Sequence, residues 1–246
     1  MKASSFLNNH DFSNHRCHST VVPESEEPDS NQQHFQRRPG RKLQVVSSLE
    51  STQIEGDSTS LRLLAREKVQ QSNYAQAIEI FNCLIDRHPS DANDYNNRGL
   101  IYFQSGQLTK AIADYNKAIQ LNPYLAGAYN NRANYYAARG RLEEALADYD
   151  KAIDLNPLHV RAWINQGITY RDLQLYDRAI DNFDFALRLG QLKGYILAQR
   201  GRTYHLMGDW NYAVADYRRA LDELSDGRRR QQVENWLNDL LSPILD

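Results

Sequence analysis

The sequence predicts an all-α fold: a solenoid of stacked two-helix units, closed by a capping helix and preceded by a disordered tail. Three observations carry this. From residue 58 onward, residue types return every 34 positions: proline at Pro89, Pro123 and Pro157, and small residues at Ala65, Gly99, Ala133, Gly167 and Gly201. Alanine at Ala77, Ala111, Ala145, Ala179 and Ala213 keeps the step, as does a ring at Phe81, Tyr115, Tyr149, Phe183 and Tyr217. All 15 tyrosines lie at or after Tyr74, so the chain joins two materials of different composition.

The first material is residues 1–57. Its only aromatics are Phe6, Phe12 and Phe35, among Ser, Asn, Gln, His, Pro and charged residues. Such a segment buries too little apolar surface to offset its ordering entropy, and disorder is expected. Glu24, Glu26, Glu27 and Asp29 precede a basic block, Arg37, Arg38, Arg41 and Lys42. That block could meet a phosphate, a lipid surface or an acidic partner, but four charges without a fold carry little specificity and read as a solvated run. Leu43, Val45, Val46, Leu49 and Ile54 could form a short element docking on the first unit. His10, His15, Cys17 and His18 match no zinc spacing. Asn8, Asn9, His10 and Asp11 interrupt any apolar stretch of a secretory signal, and the acidic residues weigh against a transit peptide.

The second material divides into five units, 58–91, 92–125, 126–159, 160–193 and 194–227. Each reads as two helices. In the second unit Tyr95, Gly99 and Tyr102 share one helical face, and Gly106 ends that helix where a positive φ is cheap. Ala111, Tyr115 and Ala118 mark the buried stripe of the second helix, and Pro123 closes the unit. The small residues are expected where two helices approach closely, with the large ring filling the space beside them. Units four and five end without proline, at Gln191 and Ser225, and unit one has Lys68 where the others have Tyr. In residues 228–246, Val233, Trp236, Leu237, Leu240 and Leu241 form one stripe, read as a capping helix that stops before Pro243. Eleven helices are thereby expected.

The third unit reads A-Y-N-N-R-A-N-Y-Y-A-A-R-G-R-L-E-E-A-L-A-D-Y-D-K-A-I-D-L-N-P. It resembles a tetratricopeptide repeat, and the resemblance extends in register over 58–227. It implies a right-handed α-solenoid whose first helices line a concave groove. It also implies that the second, fifth, sixth, ninth and twelfth residues of each unit face that groove. The sixth residues are Leu63, Asn97, Asn131, Asn165 and Gln199. Amides both donate and accept, so such a column can bond the backbone of an extended peptide. Arg62, Arg66, Arg161, Arg171, Arg202 and His205 fall on the same surface, with Asp172 the evident acidic counterweight, which suits an acidic peptide. Asn134 is a further polar group there, and Leu100, Phe103, Ile164 and Ile168 are expected to offer apolar pockets. Chaperone-binding members of the family hold a terminal carboxylate with five Lys, Asn and Arg residues. No run of three units here completes that set. Trp163 and Tyr129 are read as core, and Cys83 as a buried small residue.

Composition narrows the function. Lys and Arg total 29 against 31 Asp and Glu, a net charge of -2, which argues against a dedicated nucleic-acid binder. No apolar run approaches the ~18 residues of a membrane span. Two cysteines without a pairing scaffold fit a reducing compartment. No H-E-x-x-H, G-x-x-x-x-G-K or G-x-S-x-G motif occurs, so no enzyme, metal or cofactor is expected. The acids that recur in A-D-Y-N-K-A and A-D-Y-D-K-A are read as surface helix positions. The expected function is a non-catalytic cytoplasmic scaffold that binds a peptide segment of a partner protein in its concave groove, with organelle import and oligomeric state left open. The alternative is an assembly factor that docks through its convex face or its tail. The N-N-R-G and L-N-P units are similar to those frequent in bacterial and plastid members, photosystem-assembly factors among them.

Overall fold

The structure is a computed structural model, and it describes residues 56–225 and 227–242. The expectations placed on residues 1–55, including the disorder, the basic block, the histidines and the apolar cluster ending at Ile54, lie outside the described residues, as does Pro243.

Among the described residues there are eleven helices and no strand. They run as α1 Ser58–Gln70, α2 Tyr74–Arg87, α3 Ala92–Gln104, α4 Leu108–Leu121, α5 Ala126–Ala138 and α6 Leu142–Leu155. The series continues with α7 Val160–Asp172, α8 Tyr176–Arg188, α9 Lys193–Met207, α10 Trp210–Glu223 and α11 Gly227–Leu241. Several starts are capped from the side: Asp57 accepts from the N–H groups of Thr59 and Ser60, Asp91 from Asn93, and Asn73 from Gln76. The turn inside each unit needs one left-handed residue. Gly106 at φ 79° meets that need without strain, whereas units one and four place Ser72 and Gln174 there. The connection into α9, which lacks proline, uses Gly190 and Leu192 in the same region.

The packing follows the 34-residue pattern. Phe81, Tyr115, Tyr149, Phe183 and Tyr217 are buried. A Cβ on Gly99 would lie 2.9 Å from the Tyr115 ring, and Gly167 and Gly201 meet Phe183 and Tyr217 as closely. The first helix is thus small where it must approach the ring of the second. Successive first helices touch one another (α3 with α5, α5 with α7, α7 with α9), and no contact of that extent joins successive second helices. The first helices therefore lie on the inside of the bend. Helix α11 contacts both α10 and α9. Its Val233 and Leu240 are buried against Leu197, Tyr217 and Ala220, which seals the last unit.

Two expectations are corrected. The recurring acids Asp114, Asp148 and Asp216 are buried rather than on the surface. Each receives two N–H groups from an arginine of its own unit, Arg98, Arg132 or Arg200, at 2.7–2.8 Å. The same arginine reaches the preceding unit, at Asn82, Asn116 or Asp184. Each guanidinium therefore ties together two units, and hydrogen bonding to the carboxylate raises its pKa. Unit four carries a neutral version, in which Gln166 donates to Asp150 at 2.6 Å and Asn182 replaces the acid. Trp163, Tyr129 and Cys83 are half-buried rather than core. The Trp163 indole N–H donates to the Pro157 carbonyl, and its ring packs on Phe185.

Candidate functional site

The inner face is built from α1, α3, α5, α7 and α9. The sixth-position amides do not stand free along it. Asn131 donates to Asn96 Oδ1 at 3.0 Å, Asn130 donates to Asn131 Oδ1 at 3.1 Å, and Asn165 donates to Asn130 Oδ1 at 3.2 Å. The result is a hydrogen-bonded ladder through units two, three and four. Its fifth-position members Asn96 and Asn130 were missed as amide partners, although the repeated N-N pairs were legible in the sequence. Each amide has capacity for about four hydrogen bonds, so the ladder orients these groups without exhausting them. Asn97 and Gln199 are buried, at 8% exposure each. Gln199 Oε1 accepts from Arg171 at 2.7 Å, while the Asn97 side chain makes no hydrogen bond among the described residues. Asn134 Oδ1 accepts from the Tyr149 hydroxyl at 2.6 Å, which anchors it to the core.

The basic residues separate into two groups. Arg62 is held at 2.7 Å by both oxygens of buried Asp94, in the next unit, and by Asp91, the last residue of its own unit; neither acid was set against it from the sequence. Its charge is thereby matched within the protein. Arg66 is half-buried and makes no ion pair among the described residues. At the α9 and α11 end of the face, Arg171 meets Arg202, which lies over Trp236 of α11, while Arg161, at the opposite end of α7 from Arg171, lies near Arg229 of α11. Burial, and then the charge of Arg229, draw Arg161 below its ordinary value. Burial also lowers Arg171 and raises Asp172. Of the expected apolar pocket residues, Leu100 and Ile168 are half-buried, whereas Phe103 and Ile164 are in the core and offer no pocket wall. Among the described residues, no group of His, Cys, Asp and Glu could hold a metal ion. No described helix is long and apolar enough to cross a membrane.

A family model described as tetratricopeptide repeat matches residues 92–125 and 126–158, and a second of the same description matches 148–181. The chain is a tetratricopeptide repeat protein. Among solved structures it is similar to the thermophilic repeat protein TTC0263 of Thermus thermophilus, at 20% identity and TM-score 0.63, over 74% of this chain and 98% of that one. It is also similar to PilF of Pseudomonas aeruginosa, at 18% identity and TM-score 0.64, over 75% of this chain and 84% of that one. MamA aligns at 20% identity and TM-score 0.55, over 69% of this chain and 95% of that one. These likenesses establish the fold. No curated protein matches the chain in sequence. Tetratricopeptide repeat proteins are in general interaction scaffolds rather than enzymes.

Proposed function

We propose that this tetratricopeptide repeat protein is a non-catalytic scaffold that binds an acidic segment of a partner protein along its inner face. One observation carries the reading. The amides of units two to four are pre-oriented by a ladder that leaves donors and acceptors unused, and the ladder leads toward a concentration of arginines. Pre-oriented groups bind an extended chain at lower entropic cost than mobile ones. The free thiol of Cys83 suits a reducing compartment such as the cytoplasm.

The test is affinity capture with the full chain, followed by mass spectrometry. The double variant Asn97→Ala/Asn131→Ala, shown to be folded by circular dichroism, is expected to lose the captured partner. Retention by that variant, with loss on deleting residues 1–57, would transfer the binding role to the tail. A second reading, assembly into a larger complex through another face, is favoured by Trp210 and Tyr212, which are 50% and 63% exposed away from the groove. Loss of capture in Trp210→Ser/Tyr212→Ser, with the groove variant unaffected, would select it.

A further inference from the structure

Arg62, Arg98, Arg132 and Arg200 each fill two N–H groups with the carboxylate of a buried Asp, at 2.7–2.8 Å. Arg171 and Arg202 do not. The Arg171 side chain is less exposed than any of those four, at 11% against 15–26%. Its one hydrogen bond runs to the neutral Gln199 amide, and the Asp172 carboxylate lies 3.7 Å from its Nε, beyond hydrogen-bond range. A guanidinium has five donors, and a withdrawn one is stable when its fork meets an anion. Arg202, at the groove-facing ninth position of the next unit, meets His205 Nδ1 at 3.3 Å and the Trp236 ring at 5.6 Å. No carboxylate pairs with it among the described residues.

Two more cations form a second pair along the same groove, with Arg161 ten residues, or about 15 Å, before Arg171 on α7. Arg229 of α11 lies 5.0 Å from the Tyr195 ring, and it is near enough to Arg161 to repel it. Asp239 of α11 is the acid near this groove, close enough to act on His205 and Tyr217 beside Arg202. Of the positions of the chaperone-type carboxylate site, taken from unit two as Asn96, Leu100, Asn131, Arg161 and Asn165, only Arg161 is shared; Arg171, Arg202 and Arg229 are not among them. The nearly balanced charge of the chain, 29 basic against 31 acidic residues, favours a local carboxylate over the extended phosphate backbone of a nucleic acid.

We propose that the groove between α7, α9 and α11 is a binding site for side-chain carboxylates of an acidic peptide, with Arg171 and Arg202 as the primary forks and Arg161 with Arg229 as a second cationic pair along it. The capping helix is then a wall of the site as well as the end of the core. This rests on the inner face being the partner-binding face.

Fluorescence anisotropy on the full chain tests it with fluorescein-labelled hexaglutamate, hexaglutamine and a six-nucleotide oligouridylate. Hexaglutamate is expected to bind at least about tenfold more tightly than hexaglutamine. Arg171→Gln/Arg202→Gln is expected to weaken hexaglutamate about tenfold or more, and Arg218→Gln on exposed α10 less than about twofold. Arg171→Lys/Arg202→Lys keeps the charges without the forks and guards against a folding defect. An intermediate loss supports the forks. An unchanged hexaglutamate affinity in the Gln variant, or none in the wild type, overturns the proposal. Tighter oligouridylate binding with the same arginine dependence replaces the peptide by a nucleic acid. Partner capture that fails in Asn97→Ala/Asn131→Ala but persists in the arginine variant leaves the scaffold reading standing and overturns this one.

Discussion

Tyr115 and Tyr149 occupy the same place in successive units, yet their hydroxyls differ. The Tyr149 hydroxyl donates to Asn134, the ninth residue of its unit. The ninth residue of unit two is Leu100, and the Tyr115 hydroxyl is buried without a partner. A buried hydroxyl lacking a hydrogen bond costs about 1–3 kcal/mol, whereas a made one contributes about 1 kcal/mol. Tyr115→Phe is therefore expected to hold or raise stability, and Tyr149→Phe to lower it by about 1 kcal/mol, read as urea midpoints at constant slope. His159 offers a pH test. Its Nδ1 accepts from the Ala162 N–H and caps α7, which requires the neutral ring, and burial lowers its pKa. The unfolded chain then takes up the proton first, so this stability is full above about pH 6.5 and declines below it. Between pH 7.5 and 5.5 the urea midpoint should fall, and it should fall less in His159→Asn. His205, also lowered by burial, accounts for part of the remainder.

At the scale of elements, the arginine ties decide how units join. Arg132 binds Asp148 of its own unit and Asn116 of the preceding one. Removing one partner strands a buried charge, at a cost of about 3–5 kcal/mol. Unit four shows the neutral alternative in Gln166 and Asn182. Arg132→Gln/Asp148→Asn, which copies it, should cost less than either single change, and a double-mutant cycle measures the difference. This pairing was written in the sequence, since the arginine and the acid depart together in unit four. It was misread as surface charge because helical periodicity locates a stripe without saying what covers it. The partners sit 16 residues apart across a turn, a distance that only the packed helix pair closes.

At the scale of the molecule, α11 holds the last unit closed and lines the arginine groove. Deleting residues 226–246 uncovers the neighbours of Val233 and Leu240. Full burial of such side chains is worth about 1.5–3 kcal/mol each. The truncated chain should unfold at a lower temperature by calorimetry, bind a hydrophobic dye, and lose affinity for hexaglutamate with the removal of Arg229.

The sequence by itself determined the fold class, the 34-residue register and the eleven helices, because glycine, proline and ring positions act within a helix pair. It also marked the inner face. Only the tertiary structure decided which groups on that face are engaged. Arg62 is matched by Asp91 and Asp94, the asparagines bond one another, Phe103 and Ile164 turn into the core, and the largely covered Arg171 hydrogen-bonds a neutral amide, with the Asp172 carboxylate 3.7 Å away. The reason is physical: a charge or an amide is answered by what lies opposite it in space, and in a solenoid that is a residue of the paired helix or of the neighbouring unit.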